Sequence, residues 1–407
     1  MAKWKECAIS DIGIVVGGAT PSTKKPENYE GGTIPWITPK DLSTFSGRYI
    51  CCGERNITEA GLKSCSAQMI PSHSVLFSSR APIGYIAIAQ NAVCTNQGFK
   101  SVVPKEGTDY LFLYYLLKYN KGKIEHMGSG TTFKEVSGNT MKNIRVNVPI
   151  DVEDQRKIAS VLDRIDSKIE QNTNINKNLE QQALAIFRQY FMDFAPYGGV
   201  APSDWMEVSL DDVCIRITDG SHYSPADSPD SPYPMYSVKD METYGFNSST
   251  CKHITEDEFR KMKKSDCVPL LNDILVAKDG SYLKEIFICS EEKEEAILSS
   301  IAIFRPNKSV IMPEILLYLL KQSSVRKDVG DNYVSGSALP RIVLKDFKKY
   351  RLTLPTMNEQ LKIGSVLHAI RMQTKANIDE IQRLSSIRDT LLPQLMSGNL
   401  DVSALDI

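Results

Sequence analysis

The chain has 407 residues, of which 42% are hydrophobic and 24% charged, and its 48 basic and 49 acidic side chains leave a net charge of −1. Such a length calls for more than one core, and such a composition excludes disordered, fibrous and collagen-like chains. The charge balance gives no basic excess of the kind that announces a nucleic-acid-binding domain, so any such surface must come from local clustering.

The opening segment MAKWKECAIS lacks the apolar stretch of a secretion signal. The longest apolar runs, within 110–117 and 315–320, suit core helices and are too short to cross a bilayer. No membrane contact and a cytoplasmic location are therefore expected. Nine cysteines, with Cys51 and Cys52 adjacent and no CxxC, argue against a disulfide framework and against a cysteine zinc site, so reduced thiols are expected. Five histidines with no ligand-pair spacing point to no metal site.

In chain order the sequence says nearly everything twice. Trp4 opens WKECAISDIGIVVGGATPS and Trp205 opens WMEVSLDDVCIRITDGSHYSP, each reading as a short strand or helical turn followed by a Gly- and Pro-bearing loop. FLYYLLK at 112–118 returns as ILLYLLK at 315–321. The stretch from Gly130 to Pro149, ending IRVNVP, returns as Gly336 to Pro355, ending YRLTLP. Four segments follow: a first globular domain over 1–150, a long helix over 151–195, a second globular domain over 196–355, and a second helix with its tail over 356–407.

Both helices carry a heptad seam. In the first it falls on Ile158, Leu162, Ile165, Ile169, Asn172, Asn176, Leu179, Ala183, Ile186 and Tyr190. In the second it falls on Ile363, Leu367, Ile370, Thr374, Asn377, Ile381, Leu384, Arg388, Leu391 and Leu395. Steps of four and three alternate throughout, the 3.5-residue period that keeps one stripe against a partner helix. One constant offset carries the first seam onto the second. The matched stripes predict that the helices pair with each other, antiparallel, with Asn172 close to Asn377 as a register-fixing polar pair. Each helix should span about 50–60 Å at about 1.5 Å per residue.

The expected fold is thus two α/β (α+β) domains in tandem, separated by two long helices that form an antiparallel coiled coil with pseudo-two-fold symmetry. Duplex DNA has local two-fold axes too, so such a molecule suits a reader of two half-sites with spacing set by helix length. Useful specificity over a genome needs about 4–10 kcal/mol at about 1–3 kcal/mol per base pair, more than one small head reading three or four pairs comfortably supplies.

The pattern resembles the DNA specificity (S) subunit of type I restriction–modification enzymes across essentially the whole chain. The segments that carry it are GGATPS at 17–22, GGTIPWITPKDLS at 31–43, FSSRAPIGY at 77–85, TNQGF at 95–99, GSGTTFKEVSGNTMKNIRVNVP at 128–149 and DQRKIASVLDRID at 154–166. In the second half they are DGSHYSP at 219–225, GSALPRIVLKDFKKYRLTLP at 336–355 and LLPQLMSGNLDV at 391–402. The resemblance implies that each domain reads one half of a split, asymmetric site in double-stranded DNA and that the helices set the gap. It also implies two modification (methyltransferase) subunits as partners, one beside each domain, with restriction (translocase and nuclease) subunits joining through them. No cofactor is implied for this chain; S-adenosylmethionine, ATP and Mg would sit on the partners.

Base readout needs Arg, Lys, Asn or Gln on loops that reach the groove. The candidates are Lys24, Lys25, Lys40, Arg48, Arg80 and Gln97 in the first domain, and His222, Tyr223, Lys239, Lys252 and Lys278 in the second. The RKMKK cluster at 260–264 is better read as a phosphate contact or an exposed helix face. No catalytic residue is expected: there is no NPPY- or DPPY-like loop, no FxGxG and no GxxxxGK[ST]. Pro229–Asp230 and Glu291-x-Lys293 are too far apart, in too Pro- and Ser-rich a context, to read as a nuclease. Two other readings fit the residues: a scaffold whose domains bind protein or glycan, and a solitary specificity protein serving a type II-like methyltransferase–nuclease.

Overall fold

The computed structural model describes residues 2–80, 82–129 and 134–402. Gly130, Thr131, Thr132 and Phe133 of the GSGTTF motif, and Ala81 of the Arg80 loop, lie outside the described residues. The chain divides into two compact units: residues 1–173 with 378–407, and residues 174–377.

In the first unit, strand Trp4–Ala8 pairs antiparallel with Arg145–Pro149, Trp4 opposite Pro149, so the domain is closed just where the long helix Val152–Phe191 begins. A five-stranded sheet runs in the order Gly13–Gly17, Lys100–Pro104, Val75–Ser79, Ile83–Ala89, Tyr49–Ile50. A smaller one runs Arg55–Ile57, Ile34–Ile37, Cys94–Thr95. Pairing is mostly antiparallel, but Ile34–Ile37 runs parallel to Cys94–Thr95 and Tyr49–Ile50 parallel to Ile83–Ala89. The strand Val75–Ser79 is buried along its whole length, as its apolar run requires when both faces are covered. Helix Tyr110–Tyr119 is capped by Asp109, which accepts from the Phe112 amide, and buries every side chain from Phe112 to Leu117.

The second unit repeats this plan. Strand Met206–Ser209 pairs with Arg351–Leu354. The larger sheet runs Cys214–Asp219, Ile301–Pro306, Ile274–Ala277, Ile286–Ile288 and the smaller one Lys252–Ile254, Tyr233–Tyr236, Ala296–Ile297. Helix Pro313–Leu320 is buried throughout residues 314–320.

Each unit also contains one end of each 40-residue helix, Val152–Phe191 and Met357–Met396. In the first unit Asn172 donates to Glu380 at 2.8 Å, Arg388 to Asp166 at 2.9 Å, and Leu395 and Met396 share a core with Ile158 and Leu162. Numbering rises along one segment as it falls along the other, so they run antiparallel. In the second unit Asn377 donates to Asn176 at 2.7 Å, while Ile363 and Leu367 share a core with Ala183 and Phe187, again antiparallel. None of the seam side chains named above is exposed. The stripe is wider than the seam, because Gln155, Asp166, Phe187 and Phe191 are buried against the domains as well.

One expectation is corrected. Asn172 and Asn377 do not bond to each other: Asn172 takes Glu380 and Asn377 takes Asn176. Equivalence in a repeat is not opposition in an antiparallel pair. The register places the facing residue about one turn from the equivalent one.

A buried glutamine joins each helix to its domain. Gln155 donates to the carbonyls of Gly107 and Pro149 and accepts from the Asp109 amide. Gln360 donates to Val310 and Pro355 and accepts from the Met312 amide. Replacing either by Leu leaves three backbone groups without partners, and we expect a loss of about 1–3 kcal/mol in denaturant unfolding, since a buried orphan carries its full desolvation penalty.

A candidate nucleic-acid interface, built twice

Each domain brings three loop segments together at the end of its small sheet. In the first domain the chain leaves strand Gly13–Gly17 through Gly18. A Cβ there would lie 2.2 Å from the carbonyl oxygens of Thr95 and Asn96, so only glycine allows this crossing. The Ala19 amide then donates to Thr95, and the buried Trp36 indole donates to the Ala19 carbonyl, at 3.0 Å each. The second segment opens at Thr38, whose amide and hydroxyl both donate to Asp41 at 2.7 Å, a box that starts a short helix bearing Lys40. The third, Asn96–Gly98, is held by the Asn96 amide on Ile37 and the Gly98 amide on the Asn96 side chain. The exposed side chains where these segments meet are Thr20, Lys40 and Gln97, and the Thr20 hydroxyl donates to the Gln97 amide oxygen.

The second domain is built in the same way. A Cβ on Gly220 would lie 2.3 Å from the Ile297 carbonyl oxygen. The Ser221 amide donates to Ile297, the Ser299 amide to Ser221 and the Leu298 amide to Tyr236. Ser237 donates twice to Asp240, at 2.8 and 2.7 Å, starting the turn that bears Lys239. The spacing that builds these boxes, TPKD and SVKD, is legible in the sequence, yet the carboxylates were not singled out from it. Their role is to fix the turns that carry the lysines.

The predicted residues fall into three groups. Lys24, Lys25, Lys40, Gln97, His222, Tyr223 and Lys239 are exposed. Lys40 pairs with Glu54 at 2.8 Å, both side chains being largely in water, so the pair is weak and easily exchanged for a phosphate. Arg80 and Lys252 are half-buried and engaged: Arg80 lies 3.3 Å from Glu135, and Lys252 donates to Ser224 and to the Pro225 carbonyl, which holds the loop carrying His222 and Tyr223.

Arg48 and Lys278 lie inside, contrary to the expectation of surface readers. Arg48 is 6% exposed and donates to both oxygens of Glu170, to Asp163, to Ser167 and to Tyr115. Tyr115 passes the network on to Asp166 at 2.9 Å, and burial, with Asp166 next, holds its phenol far above the ordinary value. Lys278 is 7% exposed and donates to Asp219 at 2.6 Å, the carboxylate that also lies 3.3 Å from His222. Both are committed to acidic partners, because an unpaired charge at such depth would be too costly. They position the domain and the loop and are not free to reach a base. The basic cluster at 260–264 lies on helix Glu256–Lys264, where Phe259 and Met262 face inward and the charges outward.

Among the described residues no group of three or more His, Cys, Asp or Glu is placed to hold a metal ion, and no helix is long and apolar enough to cross a membrane. All nine cysteines are unpaired.

A family model described as the type I restriction modification DNA specificity domain matches residues 1–181 and again residues 202–384. Similar proteins include the type I restriction enzyme MjaIX specificity subunit of Methanocaldococcus jannaschii, 33% identical over 99% of this chain and 94% of its own. The HindI specificity subunit of Haemophilus influenzae is 22% identical over 98% of this chain and all of its own. In fold the chain is similar to the crystal structure of the type I restriction–modification S subunit from M. genitalium, with a TM-score of 0.59 and 16% identity over 97% of this chain and 96% of that one.

Proposed function

Since this chain belongs to the type I restriction–modification DNA specificity family, a family of DNA-recognition subunits without a catalytic centre of their own, we propose that each of its domains reads one half of a bipartite site in double-stranded DNA. The observation that carries this reading is the twice-built loop cluster. Gly18 and Gly220 make the same close crossing, and Asp41 and Asp240 fix the same turn, while the exposed tips differ. Equal scaffolds with unequal tips suit a target whose two halves are unlike. In the same proposal the two long helices set the number of base pairs between the halves.

The chemistry then belongs to other chains. Two modification subunits, one for each domain, would bind S-adenosylmethionine and methylate adenine; restriction subunits would bring ATP and Mg²⁺. The working place is the cytoplasm. The exposed lysines would meet phosphates, which supply affinity and register, and the loop tips would meet base edges, which supply specificity.

The test is selection from a random duplex pool by the full chain together with its modification subunits. A gapped motif with unlike halves is the expected result. Recovery of no motif, or of one uninterrupted or palindromic motif, would overturn the reading.

A further inference from the structure

We propose that Gln97, steered by Thr20, is the base-reading side chain of the first domain, and that His222 and Ser299 hold the equivalent positions in the second. This rests on the half-site reading above and assigns its specificity to particular atoms. The internal repeat supplies the comparison. Gly18 and Gly220 each abut the carbonyl oxygen of the strand end beside them, Thr95 and Ile297. The Ala19 amide bonds to Thr95 as the Ser221 amide bonds to Ile297. Counting outward from these shared contacts, Thr20 matches His222 and Gln97 matches Ser299.

The backbone crossing that leads to these matched positions is shared, and the side chains on them are not. Thr20 and Gln97 are both exposed and bonded to each other, hydroxyl to amide oxygen. In the second domain His222 is exposed and leans on Asp219, 3.3 Å away, while Ser299 is half-buried and its amide is taken by Ser221. A glutamine held this way keeps its NH₂ outward as a donor and retains a second lone pair on the oxygen. That is the donor–acceptor pair which matches the N7 and N6 edge of adenine in the major groove. A free glutamine must lose rotamer freedom on binding, and the Thr20 hydroxyl removes part of that cost beforehand. Neither Thr20 nor Ser299 carries a charge that composition could reveal.

The experiment repeats the random-duplex selection with Gln97→Ala, Gln97→Glu and Thr20→Val chains in complex with their modification subunits. Gln97→Ala is expected to relax one base position in one half-site by about 5- to 150-fold, leaving the other half unchanged, as loss of a bidentate contact does. Gln97→Glu, which can only accept, should shift that position toward cytosine, whose N4 donates. Thr20→Val, close in shape, should weaken the same position and no other. A uniform loss across all positions would make Gln97 a phosphate or folding contact and overturn the inference, as would an unchanged motif. Thermal unfolding of each variant separates loss of fold from loss of reading. If the unsubstituted chain itself selects no gapped motif, the half-site reading falls; if it does and the variants match it, only this inference falls.

Discussion

Arg48→Ala is expected to destabilise the first unit by about 3–5 kcal/mol, the cost typical of removing one partner from a buried ion pair. The guanidinium pairs with both the Glu170 and the Asp163 carboxylates, and it also touches Ser167 and Tyr115. Without it two half-buried carboxylates lose this partner. Arg48→Lys should recover little, because an ammonium cannot make the two parallel bonds to Glu170 that the planar fork makes. Urea unfolding of the full chain measures the effect. A loss below about 1 kcal/mol would place the network at the level of an ordinary surface pair. Because the network ties the domain to the helix, DNA selectivity for one half-site should weaken along with stability.

Trp205→Ala should cost the second unit about 3–5 kcal/mol, the usual price of deleting a large buried ring. Trp205 is 8% exposed and meets Phe191 at 5.6 Å, Phe194 at 5.9 Å and Tyr197 at 5.3 Å between ring centroids, the last two edge to face. Phe187 extends the stack through Phe191. These rings close the end of the first long helix onto the second domain, and no single neighbour can relax into the space an indole leaves. Trp205→Phe should retain more than half of the lost stability. Both substitutions are followed by denaturant unfolding and by Trp fluorescence of the two remaining indoles, which should hardly change.

The long helices were legible because their signal is local and repeated: a 3.5-residue stripe needs no knowledge of the rest of the fold. The tandem plan was legible for the same reason, since the chain contains its own comparison. What failed was long-range. Asn172 and Asn377 hold equal places in the repeat, but only the antiparallel register decides what faces them. Arg48 and Lys278 have the right chemistry for a groove, but nothing near them in sequence announces Glu170 or Asp219. Thr20 and Ser299 went unnoticed for the opposite reason: small hydroxyls are everywhere, and these two stand out only once the strands that they follow have been paired.

The core of the first unit includes Leu395, Met396 and Val402, and Gly398 packs so close to Trp4 that a Cβ would come within 2.6 Å of the indole nitrogen. On the ribosome those residues emerge after the whole of the second unit. The first domain therefore waits, with apolar surface uncovered, for a segment made only after the second unit, and folding rates fall as contacts become this non-local. A premature stop near residue 390 would harm the first unit more than the second, and nascent chains should depend on chaperones chiefly through residues 1–173.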